Sequence, residues 1–199
     1  MLESMRKLLI AMGLMAITGA LWASVIKGRG QSNARVLIEV YSDYQCPYCK
    51  TLYENTLRSL ITEYVDTGKV YLIHHEFPLP RHAHAMEAAC YACAANRVGK
   101  YEQVGDVLFR NQESWAASGN VDETVSSVLT TDEAKKVRTL ARDPAITAEV
   151  REDIQAGLTA HVDGTPTLIL TYRQKQYRLP ATASYPVLRR FIDQLLSSN

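Results

Sequence analysis

Two cysteines three positions apart, Cys46 and Cys49, enclose Pro47 and Tyr48 directly after a β-branched and aromatic run. A thiol pair at this spacing can cycle between dithiol and disulfide, close a structural disulfide, or supply half of a zinc site. Placement favours the redox use. Val36 through Tyr41 reads as a strand, Ser42 through Gln45 as the turn off its end, and Lys50 through Val65 as a helix with apolar Leu52, Leu57, Leu60, Ile61, Tyr64 and Val65 on its inner side. Cys46 then stands at a helix N-terminus, where unpaired N–H groups and the positive end of the helix dipole favour thiolate over thiol. Cys49, one turn further in, is expected to be the more buried, resolving thiol. Pro47 suits a first helical turn, which does not use the N–H that proline lacks. A structural zinc site needs about four ligands, and the other short-spaced pair, Cys90 and Cys93, has no histidine spaced as a convincing co-ligand. No metal and no cofactor are called for.

A second landmark lies far downstream. Pro166 stands at the mouth of the apolar run Thr167 to Leu170, where a proline is awkward in a central strand. A cis Thr165–Pro166 bond would resolve the conflict, although only about 5–6% of X-Pro bonds are cis, so the sequence leaves the isomer open.

Together these elements resemble the DsbA-like branch of the thioredoxin superfamily. The resemblance rests on Tyr41 through Cys49, on Glu76-Phe77-Pro78-Leu79-Pro80 with His84 and the Ala-rich stretch behind it, and on Gly164-Thr165-Pro166-Thr167, in family order from about Arg35 to the C-terminal helix. It implies that Pro166 is cis and faces the dithiol, and that the backbone of Thr165 pairs with an extended substrate segment. It also implies a buried acid late in the first strand that moves protons to and from the buried cysteine. Val40 occupies that position here. Glu39, the candidate relay, is one residue off, and strand alternation points it to the other face unless a bulge intervenes.

The expected fold class is α/β, a thioredoxin fold with an inserted helical subdomain, preceded by an N-terminal apolar helix. Val70 to Glu76 reads as a second strand that ends at the prolines 78 and 80. Helical patterns follow over residues 85–97, 101–109, 121–129, 131–141 and 145–158, placing the insertion at about 82–158. Thr167 to Tyr172 and Gln176 to Leu179 form an antiparallel pair, and a helix over 185–196 covers the sheet. Residues 35–199 make the domain, 28–34 a linker, and 1–27 a signal peptide or membrane anchor. Leu8 to Ile26 is uncharged and behind Arg6 and Lys7, about as long as a short membrane span. This segment implies membrane contact and a periplasmic or extracytoplasmic location, where disulfides persist. The 22 Lys and Arg against 21 Asp and Glu give a net charge of +1 and no electrostatic case for nucleic acid.

The function expected is that of an exported thiol:disulfide oxidoreductase, donating or exchanging disulfides with thiol-containing protein substrates through Cys46 and Cys49. The resemblance adds a membrane quinone-linked reoxidase as partner. A reductase or isomerase would use the same dithiol, though isomerases of the superfamily usually add a dimerisation domain; a client- or metal-binding assembly module would not need it. Tyr48 stands where the strongest oxidants of the family carry histidine, so an intermediate reduction potential is expected. For Cys90 and Cys93, on one face of an Ala-rich helix, a second disulfide, buried free thiols, and a metal or redox role all stay open. His74, His75, His82 and His84 read as solvated or capping side chains.

Overall fold

The computed structural model describes residues 27–180 and 182–198. Five strands form one sheet in the order β1-β3-β2-β4-β5: β1 (Gly28–Arg29), β2 (Val36–Ser42), β3 (Val70–Glu76), β4 (Thr167–Tyr172) and β5 (Lys175–Leu179). β2 and β3 run parallel, whereas β4 lies antiparallel to β2 and β5 antiparallel to β4. A parallel pair requires a crossover, and the helical chain from Pro47 to Val65 supplies it. Its turns alternate between α (Pro47–Leu52, Arg58–Leu60) and π winding (Tyr53–Leu57, Ile61–Val65).

The central strands are buried because their apolar residues alternate onto one core. Val36, Ile38 and Val40 from β2, Val70 and Leu72 from β3, and Leu168 and Leu170 from β4 pack with Leu52, Leu57 and Leu60 of the crossover and Leu188 and Ile192 of the helix Tyr185–Ser197. Pairing of β2 with β3 is continuous from Val36–Val70 to Ser42–Glu76, without a bulge. Glu39 therefore faces away from Val40, and its carboxylate meets the His75 ring at 3.2 Å. Strand alternation, acting without a bulge, sends the candidate relay into a charge cluster on the opposite face.

That cluster fastens the start of the described chain. The Lys27 ammonium is buried, 2.7 Å from Asp153 and 3.4 Å from Glu149, and Glu149 also accepts from Arg97 at 2.6 Å. His75 lies between Asp153 (3.0 Å) and Glu39. Burial alone would lower the His75 pKa, but these two carboxylates outweigh it and raise it to about 9. Residues 28–34 were expected to be a linker; instead Gly28 and Arg29 pair with Ile73 and Leu72 of β3, and Arg29 bridges Asp66 and Glu102. A two-residue edge strand has no periodicity to read, and its partners come from 37 to 73 residues away.

Between β3 and β4 the chain is helical, as expected, over Ala85–Asn96, Tyr101–Arg110, Val121–Ser126, Thr131–Ala141 and Pro144–Thr159, with a further short helix at Gln112–Ser118. A second core lies here, where Tyr44, Cys46 and Cys49 pack with Ala88, Tyr91, Leu108, Phe109 and Trp115. Gly157 brings the last of these helices close to the β3 end; a Cβ there would lie 2.5 Å from the Phe77 ring. Among the described residues no helix is long and apolar enough to cross a membrane, and the apolar run Leu8 to Ile26 lies outside them.

Candidate active site

Cys46 ends the loop after β2 in extended geometry (φ −80°, ψ 121°), and Pro47 opens the helix. The first-turn N–H groups of Tyr48 and Cys49 consequently face the Cys46 sulfur. The Thr165–Pro166 bond is cis, and the Thr165 carbonyl oxygen is 3.4 Å from Cys46 Sγ. The Thr165 hydroxyl, buried with no other hydrogen-bond partner, is the group of this residue that can donate to the Cys46 sulfur. The structure thus brings Cys46, Cys49, Pro47, Tyr48, Thr165 and Pro166 to one place from chain segments almost 120 residues apart.

Accessibility does not separate the two cysteines: each is only 1% exposed, whereas Tyr48 between them is 72% exposed. The expectation that Cys49 is the more buried of the two is not met, because the Thr165 carbonyl oxygen lies against the Cys46 sulfur. Electrostatics does separate them. The Cys46 pKa falls to about 5, chiefly through its hydrogen bond with Cys49, with Thr165 and the N–H groups of Cys49 and Tyr48 adding to it against the opposing effect of burial. Burial pushes the Cys49 thiol well above its ordinary value, and the neighbouring Cys46 adds to this. All four cysteines are free thiols in the structure. One sulfur of the pair is thus a stable thiolate and good leaving group, the other a protonated thiol beside it.

Residues that the linear sequence did not single out complete the site. Gln112 is buried and donates from Nε2 to the carbonyl oxygens of Tyr44 (2.6 Å) and Cys46 (3.0 Å), satisfying two acceptors that the cysteine loop would otherwise leave unpaired. Asp43, 1% exposed, donates its backbone N–H to Cys49 Sγ at 3.4 Å, and Ser42 hydrogen-bonds the same sulfur. His82 is not a solvated histidine, since its Nδ1 lies 2.7 Å from Asp43 Oδ2. The "S-D" immediately ahead of the cysteine turn was the available signal for Asp43; nothing local marks Gln112 or His82. Glu76 is fully buried, its carboxyl raised to about 8 by burial and held by the Tyr101 hydroxyl at 2.8 Å.

Cys90 and Cys93 sit apart from this site. They lie in the helix Ala85–Asn96 and pack with Ala89, Ile146 and Val150. Burial raises both thiols, the opposite of what reactivity needs.

The geometry has counterparts among known proteins. A family model described as Thioredoxin matches residues 26–194. The Na(+)/H(+) antiporter NhaA 3 of Salinispora tropica is 27% identical over 147 residues, 73% of this chain, and this chain spans only 22% of the antiporter's length. A Bacillus anthracis protein named "Probable disulfide bond formation protein D" is 25% identical over 148 residues, 70% of this chain and 66% of that protein. In fold, the chain superposes on alpha-DsbA1 of Wolbachia pipientis with a TM-score of 0.72 at 19% identity, covering 86% of this chain and 90% of the other. With its family match over nearly the whole described chain, its five-stranded sheet and its dithiol at a helix start, this chain has the fold of the DsbA structures and belongs to the thioredoxin family.

Proposed function

We propose that the protein is an exported thiol:disulfide oxidoreductase acting on protein thiols, with Cys46 as the sulfur that is attacked and then leaves and Cys49 as the resolving one. The observation that carries this reading is the opposed pair of thiols at the helix start, with Cys46 held as thiolate and Cys49 held as thiol beside it. A substrate thiolate attacks Cys46 Sγ of the oxidised protein, and Cys49 leaves. The substrate's second thiolate then attacks its own sulfur in the mixed disulfide, forming the substrate disulfide and leaving both cysteines reduced. Beside Cys46 runs a groove of about 590 Å³ lined by Tyr48, Asn55, Thr56, Thr165, Pro166 and Ser184. An extended peptide laid there meets the Thr165 backbone as an added strand.

Stabilising the Cys46 thiolate favours the reduced form, and so favours giving disulfides away. Reoxidation would then fall to a membrane quinone-linked partner, and Leu8 to Ile26 would hold the protein at, or deliver it across, the membrane. Equilibration with glutathione buffers tests the direction. The oxidase reading expects a potential clearly above the roughly −270 mV of a reducing thioredoxin; a value at or below that would make the protein a reductase.

Exchange should not pass through the second pair. Replacing both Cys90 and Cys93 with Ala is expected to leave the rate of disulfide transfer within about twofold and to lower stability by ~1–2 kcal/mol, the cost of emptying two small buried sites. The check is a peptide oxidation assay alongside urea unfolding. Lost turnover in a folded double variant would mean that electrons travel through both pairs.

A further inference from the structure

We propose that Asp43 and His82 are positioning residues for Cys49, a clamp that holds the loop N–H on the resolving sulfur. This rests on the exchange reading given above. Asp43 has every polar group committed. Its carbonyl oxygen accepts from the Cys46 N–H at 3.0 Å, and its own N–H donates to Cys49 Sγ at 3.4 Å. Its carboxylate accepts from Gln45 N (2.7 Å), Leu79 N (2.8 Å) and His82 Nδ1 (2.7 Å). Since both oxygens already accept from backbone N–H groups, Nδ1 carries the proton of the His82 contact.

A buried carboxylate costs several kcal/mol unless its lone pairs are used, and here the three donors that use them come from two chain segments. Gln45 belongs to the cysteine loop; Leu79 and His82 belong to the segment after β3, whose His84 N–H also donates to Gln45 Oε1 at 2.8 Å. The clamp therefore ties the cysteine loop to residues 79–84, and the loop's position sets where the Asp43 N–H points. That N–H matters when Cys49 carries charge. In resolution of a mixed disulfide, the Cys49 thiol gives its proton to solvent and its thiolate forms the S–S bond to Cys46 Sγ. The bond from Cys46 to the bound thiol breaks, and that thiol leaves with the electron pair as thiolate. A donor fixed on Cys49 Sγ stabilises the thiolate this step requires, in the raised-pKa surroundings of that sulfur.

The His82 side chain is 16% exposed, at the wall of a groove that also contains Phe77, Leu79, Met86 and Leu158. It can therefore be changed without opening the core. The full chain is converted to its Cys46–glutathione mixed disulfide, and release of glutathione is followed by stopped flow for the wild type, His82→Asn and His82→Leu. The Asn amide nitrogen falls where Nδ1 was and keeps the donor; Leu removes it. His82→Leu should slow release about tenfold and His82→Asn should stay within about twofold of wild type, while alkylation of Cys46 changes less than twofold in both. Wild-type release by His82→Leu, or equal slowing by Asn and Leu, overturns the clamp. If the Leu variant does not fold, His82→Gln, which displaces the donor by one carbon, should slow release at least fivefold, and a wild-type rate there overturns it as well. A wild-type protein that never forms the Cys46 mixed disulfide overturns the exchange reading itself, and the clamp with it.

Discussion

Replacing Cys46 with Ser abolishes disulfide transfer, and replacing Cys49 with Ser leaves substrates covalently trapped on Cys46. The two outcomes differ because the two sulfurs do. Cys46 is the thiolate at the helix start, served by the N–H groups of Tyr48 and Cys49, and a serine hydroxyl there can form no disulfide at all. Activity in that variant should drop to the uncatalysed level, a loss of at least about a thousandfold. Serine at position 49 removes the second sulfur but keeps the first, so a thiol captured by Cys46 cannot be expelled from within. Mass spectrometry of each variant after incubation with a peptide dithiol and its disulfide distinguishes them: adducts accumulate on the Cys49→Ser protein and are missing from Cys46→Ser. Transfer by Cys46→Ser at even a tenth of the wild-type rate would remove Cys46 from the role proposed for it.

The second large effect is in pH. With the Cys46 pKa lowered from its ordinary 9.0 to about 5, the thiolate fraction at pH 7 rises from roughly 1% to roughly 99%. Alkylation of the reduced protein should therefore rise with a midpoint near pH 5 and be flat from about pH 6 upward. The same shift links pH to stability. A group whose pKa is depressed on folding stabilises the fold fully above its unfolded value, so the contribution of Cys46 is complete above pH 9, shrinks as pH falls from 9 to 5, and is gone below that. Cys49 is shifted the other way, and its unfavourable contribution begins only above pH 9. Between pH 5 and 9 the reduced protein should thus gain stability relative to the oxidised protein as pH rises, by an amount equivalent to ~60 mV in potential at pH 7 for a hundredfold thiolate preference. Urea unfolding of both redox forms at pH 5, 7 and 9 measures it. An alkylation midpoint near 9 would show that the helix start does not activate Cys46.

How the remaining buried charges behave follows from the same logic with the sign reversed. His75 is raised to about 9 by Asp153 and Glu39, so its share of stability is complete below the unfolded value of 6.5 and is lost as pH climbs through 9. That loss falls on both redox forms alike, whereas the gain from Cys46 belongs to the reduced form, which is why the comparison of reduced with oxidised protein is the informative one.

Much of this protein is local and was therefore legible in sequence. The periodicities that place β2, β3, β4 and most helices come from residues a few positions apart, and the helix-start position of Cys46 follows from Pro47 and the strand before it. The short helix Gln112–Ser118 and the edge strand Gly28–Arg29 escaped because pieces of that length carry little pattern. What only the tertiary structure decided are contacts between distant residues. Asp43 meets His82 across 39 positions, Gln112 reaches Cys46 across 66, and Lys27 finds Glu149 across 122. A carboxylate, an amide or an ammonium in a sequence does not say which partner compensates its burial, because that partner is chosen by sheet order and helix packing rather than by neighbours in the chain. Glu39 shows the limit from the other side: its type suited a relay, but only the continuous β2–β3 register shows that its carboxylate meets the His75 ring.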